Sequence, residues 1–142
     1  MGKYEAMIPQ DRLYSENHLW LQEGAGGFRV GFSSYAVRLL QDVYFLDWSV
    51  DQHAVVRKGE EIGQIESAKA VSSLYPPAAG RLAGFNETLL SDPALINVDA
   101  YGQGWLYHFE TEARFMSPAE YVDYLGTKWD ETQRTIKGQL ND

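Results

Sequence analysis

The residue best placed to do chemistry in this sequence is Lys69, in the run Glu66-Ser67-Ala68-Lys69-Ala70. A lysine stem is four flexible carbons ending in a primary amine, and acylating that amine removes its charge while lengthening the tether. Gly59 stands ten residues before Lys69 and Gly80 eleven after it. This balance predicts a hairpin that holds the amine at its tip. Ala68 and Ala70 leave the amine unobstructed for an attaching enzyme, and Glu66 offers a local charge for recognition. An isolated lysine is ordinarily just a solvated surface group. The frame around this one predicts a covalently attached cofactor that the rest of the chain presents.

Other candidates for chemistry carry less. His18, His53 and His108 show no metal-ligand spacing, so a metal site is not expected. His18 is expected to pack beside Trp20 or to satisfy hydrogen bonds in the core, and His108, in an aromatic strand, to be structural. No GxSxG elbow and no cysteine nucleophile is present, which leaves independent hydrolysis without support. The cluster Gly24-Ala25-Gly26-Gly27 resembles a phosphate loop, but such a loop needs a helix directly behind it. A strand pattern follows instead, so these glycines read as a turn. Asn86-Glu87-Thr88 matches a glycosylation sequon, and without a secretory signal it reads as chance.

The elements that must position Lys69 are mostly strands. Residues 1–12 mix charge, Pro9 and single apolar groups without a period, and read as an extension. The run LYSENHLWLQ from Leu13 gives one strand signal, and 28–32 gives its hairpin partner across the glycine turn. Ser33-Ser34 caps a short helix over 35–41. A strand signal follows at 42–48, the segment 54–59 ends in a Lys-Gly turn, and strands are expected at 62–66 and 71–75 on either side of Lys69, with Pro76-Pro77 ending the last. A further strand is expected at 80–85, a turn or short helix over 88–97, a bend at 101–104 and a strand over 105–109. Ser117-Pro118-Ala119-Glu120 is a capping box, and it predicts a helix from Pro118 to about Leu125 with Tyr121, Tyr124 and Leu125 on one face, able to resume past Gly126 through Trp129.

At 142 residues the chain fits one domain, and domains of this size bury about two thirds of their unfolded surface. Nine Tyr, four Trp and six Phe argue for an ordered core rather than disorder. The apolar runs fall short of the ~20 residues that a membrane helix needs, and the start MGKYEAMIPQ lacks a signal-peptide core. The absence of cysteine fits the cytoplasm, and any thiol chemistry must be imported. A formal charge of −8 argues against nucleic acid or anionic membrane as a partner, and for proteins with basic faces.

Six pieces in order resemble the H protein of the glycine cleavage system: Tyr14 to Trp20 (YSENHLW), Tyr35-Ala36, Lys58-Gly59-Glu60, Glu66 to Ala70, Tyr75 to Gly80, and Tyr101 to Leu106. The resemblance covers residues 13 to about 125. It implies a mainly β (α+β) barrel-sandwich hybrid of the lipoyl/biotinyl type, with short helices and a C-terminal helix. The expected organisation is an extension over 1–12, a carrier domain over 13–129 and a polar tail over 130–142. The family lysine carries lipoate in amide linkage and falls on Lys69. Biotin carriers flank their lysine with methionines, which this chain lacks, so lipoate is the expected cofactor. The protein would then be no enzyme but a shuttle substrate, loaded by a lipoate-attaching enzyme.

Two departures bear on the cargo. Asn17-His18-Leu19-Trp20 places Leu19 where the family usually has a glutamate beside the parked arm, and Ser73 stands where it usually has an aspartate. With Asn17, His18, Leu19 and Ser73 as the expected arm pocket, neither leucine nor serine offers charge to a cationic aminomethyl group. The departure of residues 48–56 from the family's usual turn points the same way. The preferred expectation is therefore a divergent carrier for the heterodisulfide-reductase-like complex of sulfur oxidation. A glycine cleavage H protein serving glycine decarboxylase, aminomethyltransferase and dihydrolipoyl dehydrogenase is the alternative, and an unmodified adaptor is the second alternative.

Overall fold

Alternation of apolar and polar side chains builds two antiparallel sheets that share a core. The computed structural model describes residues 8–127. Strands β1 (Leu13–Tyr14), β2 (Leu19–Gly24) and β3 (Gly27–Phe32) are followed by helix α1 (Ser34–Leu40), then by β4 (Val43–Trp48) and β5 (Val55–Val56). Next come β6 (Gly63–Ser67), β7 (Val71–Leu74), β8 (Gly80–Phe85), the single-turn helices α2 (Thr88–Ser91) and α3 (Leu95–Val98), and β9 (Tyr107–Glu110). A last helix, α4, spans 118–127. The larger sheet has the order β1-β2-β3-β9-β8-β5 and the smaller one β4-β6-β7. The architecture is mainly β with short helices and a C-terminal helix, as the sequence predicts.

The period of two is clean where it matters. In β9, Tyr107 and Phe109 are buried while His108 and Glu110 are exposed; in β6, Ile65 is buried while Gln64 is exposed. Leu21, Val30, Leu82 and Phe109 of the larger sheet join Leu46 and Ile65 of the smaller in one apolar cluster. Fully burying a side chain of this kind contributes about 1.5 to 3 kcal/mol. The glycine cluster turns the chain between β2 and β3, pairing Gly24 with Gly27, and Gly26 takes φ +81° there, a conformation side chains rarely adopt.

The run read as one strand from Leu13 is two. Residues 15–18 reverse the chain so that β1 folds back on β2, with Tyr14 opposite Trp20. The turn contains neither glycine nor proline. Ser15 closes it, its N–H donating to the Leu19 carbonyl at 2.9 Å and its Oγ accepting from the Leu19 N–H at 3.1 Å. His18 completes the reversal with φ +68°, in the left-handed region that His tolerates better than most.

A second cluster seats α4: Tyr121 and Leu125 bury one face of the helix against Ile8, Tyr14 and Trp20, the four-residue spacing placing both on that face. Tyr14 and Tyr121 stack with ring centroids 4.6 Å apart. The capping box forms in both directions, Glu120 N–H donating to Ser117 Oγ at 3.1 Å and Ser117 N–H to Glu120 Oε1 at 2.8 Å. Gly126 does not interrupt the helix. The continuation to Trp129, the tail 130–142 and most of the 1–12 extension lie outside the described residues. Of that extension Ile8 is buried, and Arg12 lies over the Trp20 ring at 4.7 Å. No helix among the described residues is long and apolar enough to cross a membrane.

Candidate functional site

Lys69 sits in the turn between β6 and β7, with Ala68, Lys69 and Ala70 all exposed. Antiparallel pairing runs from Gly63 opposite Leu74 up to Glu66 opposite Val71. Beyond it, Ser67 N–H donates to the Ala70 carbonyl at 3.0 Å. Tight two-residue hairpins usually need residues with positive φ, and neither Ala68 nor Lys69 has one. Side chain and neighbour hold the turn instead. Ser67 Oγ accepts from the Lys69 N–H at 3.3 Å and from the Ala70 N–H at 3.4 Å, while Ala68 N–H donates to the Asp42 carbonyl at 2.8 Å. Ser67 is buried, so the turn is fixed from beneath. The Lys69 ammonium forms no ion pair with any of the described residues.

Glu66 lies directly between Phe45 of β4 and Val71 of β7 across the small sheet. Phe45 and Val71 are exposed, as is Tyr44, which sits at an irregularity in β4. The turn thus rises from an apolar strip interrupted by one carboxylate, a feature the sequence reading did not assemble.

Three of the four residues expected at the arm pocket come together. Asn17, Leu19 and Ser73 line a pocket of about 90 Å³, closed by the buried Phe32, Ile62, Leu74, Leu106 and Tyr107 and by the more exposed Trp48 and Tyr75. Asn17 pins the 15–18 turn against the end of β7, its Nδ2 donating to the carbonyls of Tyr75 and Pro76 at 3.2 Å each. Ser73 donates its hydroxyl to Glu61 Oε1. Two polar atoms of the wall, Trp48 Nε1 and Tyr107 Oη, are buried without a hydrogen-bond partner among the described residues. Their rings meet edge to face at 5.6 Å, and burial pushes the Tyr107 phenol well above the usual range.

His18 does not line this pocket. Its left-handed backbone sets the side chain toward α4, where Nδ1 lies 3.0 Å from the Tyr121 hydroxyl, and its ring packs on Tyr35 at 4.6 Å. The expected neighbour Trp20 points elsewhere, its Nε1 donating to the Ala100 carbonyl at 2.9 Å. Sequence reasoning also missed Trp48 and Tyr107. Strand alternation in β9 signals that Tyr107 faces inward, but nothing local pairs it with Trp48.

An acylating cofactor fits this arrangement. The exposed amine offers the attachment point, and Ser73 in β7 follows it by four positions, at most roughly 13 Å even if fully extended, within the span of a long acyl arm. The orphaned indole and phenol could meet hydrogen-bonding atoms of a guest.

The family model described as "Glycine cleavage H-protein" matches residues 12–128. A glycine cleavage system H protein of Pseudoalteromonas atlantica is 42% identical over 106 residues, 74% of this chain and 81% of the relative. One from Mycolicibacterium vanbaalenii is 41% identical over 110 residues, 77% and 83% of the two chains. The crystal structure of a glycine cleavage system H protein from Mycobacterium marinum superposes with a TM-score of 0.73 at 35% identity, covering 84% of this chain and 99% of that one. The shared fold is the barrel-sandwich hybrid, and proteins of this kind carry lipoate on a lysine and are carriers rather than catalysts. The chain therefore belongs to the glycine cleavage H-protein family.

Proposed function

We propose that this protein carries lipoate in amide linkage on Lys69 and shuttles the aminomethyl group of glycine between glycine decarboxylase and aminomethyltransferase, with dihydrolipoyl dehydrogenase reoxidising the arm, in the cytoplasm. The observation that carries the reading is the exposed amine at the tip of the β6–β7 hairpin, without an ion pair among the described residues, in a chain matched by the H-protein model over residues 12–128. When bound, the cofactor supplies a dithiol that can be oxidised, reduced or loaded. The chain's own residues hold the amine outward, present Glu66 with Phe45 and Val71 to the attaching enzyme, and offer Asn17, Leu19 and Ser73 as a resting place for the arm.

The expectation of a sulfur-oxidation carrier rested on the uncharged Leu19 and Ser73 and on the departure of residues 48–56 from the family's usual turn. The relatives reported above are all named glycine cleavage H proteins, which favours the aminomethyl cargo. The test has two stages. Incubation with a lipoate ligase and lipoate should add one lipoyl group, located at Lys69 by peptide mass. Adding glycine decarboxylase, glycine and pyridoxal phosphate to the lipoylated protein should then add an aminomethyl group. Modification without loading would point back to another cargo, and a chain that is never modified to an adaptor.

A further inference from the structure

The carrier reading above leaves a chemical problem, because a cation brought into an apolar pocket needs a counter-charge. All ten residues that line the pocket are neutral. One hydrogen bond away, however, Ser73 donates to Glu61 Oε1. Glu61 is exposed, two residues before β6, and has no cationic partner among the described residues. Lys58, the nearest cation in sequence, is engaged with Glu16 at 3.7 Å.

We infer that Glu61 is the carboxylate that selects a positively charged cargo at the mouth of the arm pocket, with Ser73 as the positioning residue that holds it there. The inference rests on the carrier reading. It restores, from the segment leading into β6, the negative charge that Leu19 and Ser73 lack. The remaining polar groups suit the same guest: an indole N–H donates only, a phenol donates or accepts, and sulfur is a weak acceptor. A sulfur arm ending in an ammonium therefore has an acceptor for Trp48 and Tyr107 and a donor for Glu61. An anionic cargo would meet repulsion at the mouth.

The test uses the lipoylated protein with its arm reduced and alkylated either by 2-bromoethylamine, giving a stable S-aminoethyl cation, or by bromoethane, giving a neutral S-ethyl arm. Each of the arm's two thiols loses its proton, a C–S bond forms and bromide leaves; with no cysteine in the chain, these are the only thiols of the protein to react. Seating is read from the indole N–H resonance of Trp48, assigned with Trp48→Phe. The aminoethyl arm is expected to shift that resonance, and Glu61→Gln to reduce its seated fraction about twofold to fivefold, the range of an exposed charge pair. Salt should erode seating in the parent but not in Glu61→Gln, and Ser73→Ala should fall between. The ethyl arm should respond to neither substitution nor salt. Equal seating of the aminoethyl arm in parent and Glu61→Gln, or no shift in the parent, would overturn the inference. Loading by glycine decarboxylase is measured on unalkylated portions of the same lipoylated proteins, with the arm in its disulfide form: normal loading alongside an unaffected Glu61→Gln sinks only the role of Glu61, whereas no loading sinks the aminomethyl reading itself.

Discussion

The Nδ1 of His18 stands 3.0 Å from the Tyr121 hydroxyl, which in turn lies 2.8 Å from Ser33 Oγ. One phenol thus ties helix α4 to the 15–18 turn and to the N-cap of α1. The turn supplies Asn17 to the pocket, so the C-terminal helix braces the site without touching it. Burial pushes the Tyr121 phenol well above the usual range, keeping it a neutral hydrogen-bonding group.

Tyr121→Phe keeps the stack on Tyr14 but removes that hydroxyl, leaving buried Ser33 short of a partner. A loss of about 1 to 3 kcal/mol is expected, the cost of stranding a buried polar group. Urea unfolding measures it. Ser33→Ala made in the Tyr121→Phe background should cost less than Ser33→Ala made in the parent, because the shared bond is already gone. Additive losses would show that Ser33 and Tyr121 do not act together.

Lys69→Arg should abolish lipoylation while changing stability by no more than about 0.5 kcal/mol, as for surface substitutions generally. Its side chain is exposed and forms no ion pair among the described residues, and a guanidinium stays protonated and so offers no nucleophilic amine. Intact mass after ligase treatment and a thermal melt test the two halves separately.

The capping box offers a cleaner stability test. Ser117→Ala removes the acceptor for the Glu120 N–H and should cost about 1 kcal/mol. Ser117→Asp should recover most of it, because a carboxylate caps as well and favours the positive end of the helix. If Asp and Ala prove equally damaging by urea unfolding, the serine matters for some reason other than capping.

What was legible in the sequence was local. The capping box, the Gly26 turn and the hairpin about Lys69 each rest on neighbours within a few residues, and each formed. The reversal at 15–18 was hidden because it uses no glycine or proline, only Ser15 as a side-chain clamp and His18 in a left-handed conformation. That same φ turned His18 away from the pocket it was expected to line. The pocket was half legible: Asn17, Leu19 and Ser73 came through the family likeness, whereas Trp48 and Tyr107 meet only through sheet packing. Glu61 escaped notice because its bond to Ser73 spans twelve positions.

His108 makes stability depend on pH in a direction that can be worked out. It sits directly opposite Arg29 across β3 and β9, and both pack on Trp105, the His108 ring at 4.7 Å and the Arg29 guanidinium at 5.0 Å. Desolvation first, and then repulsion from Arg29, lower its pKa below the usual 6.5. The folded chain therefore binds this proton less readily than the unfolded one, and between the two pKa values the unfolded state holds more protons. Stability rises with pH through that window. The contribution is complete above the unfolded value and is lost as the pH falls from there through the folded value. His108→Gln should flatten the fall in the urea midpoint between about pH 7 and 5, and Arg29→Gln should flatten it by a smaller amount, since it removes the lesser cause. Parallel curves for parent and His108→Gln would show that the acid sensitivity arises elsewhere.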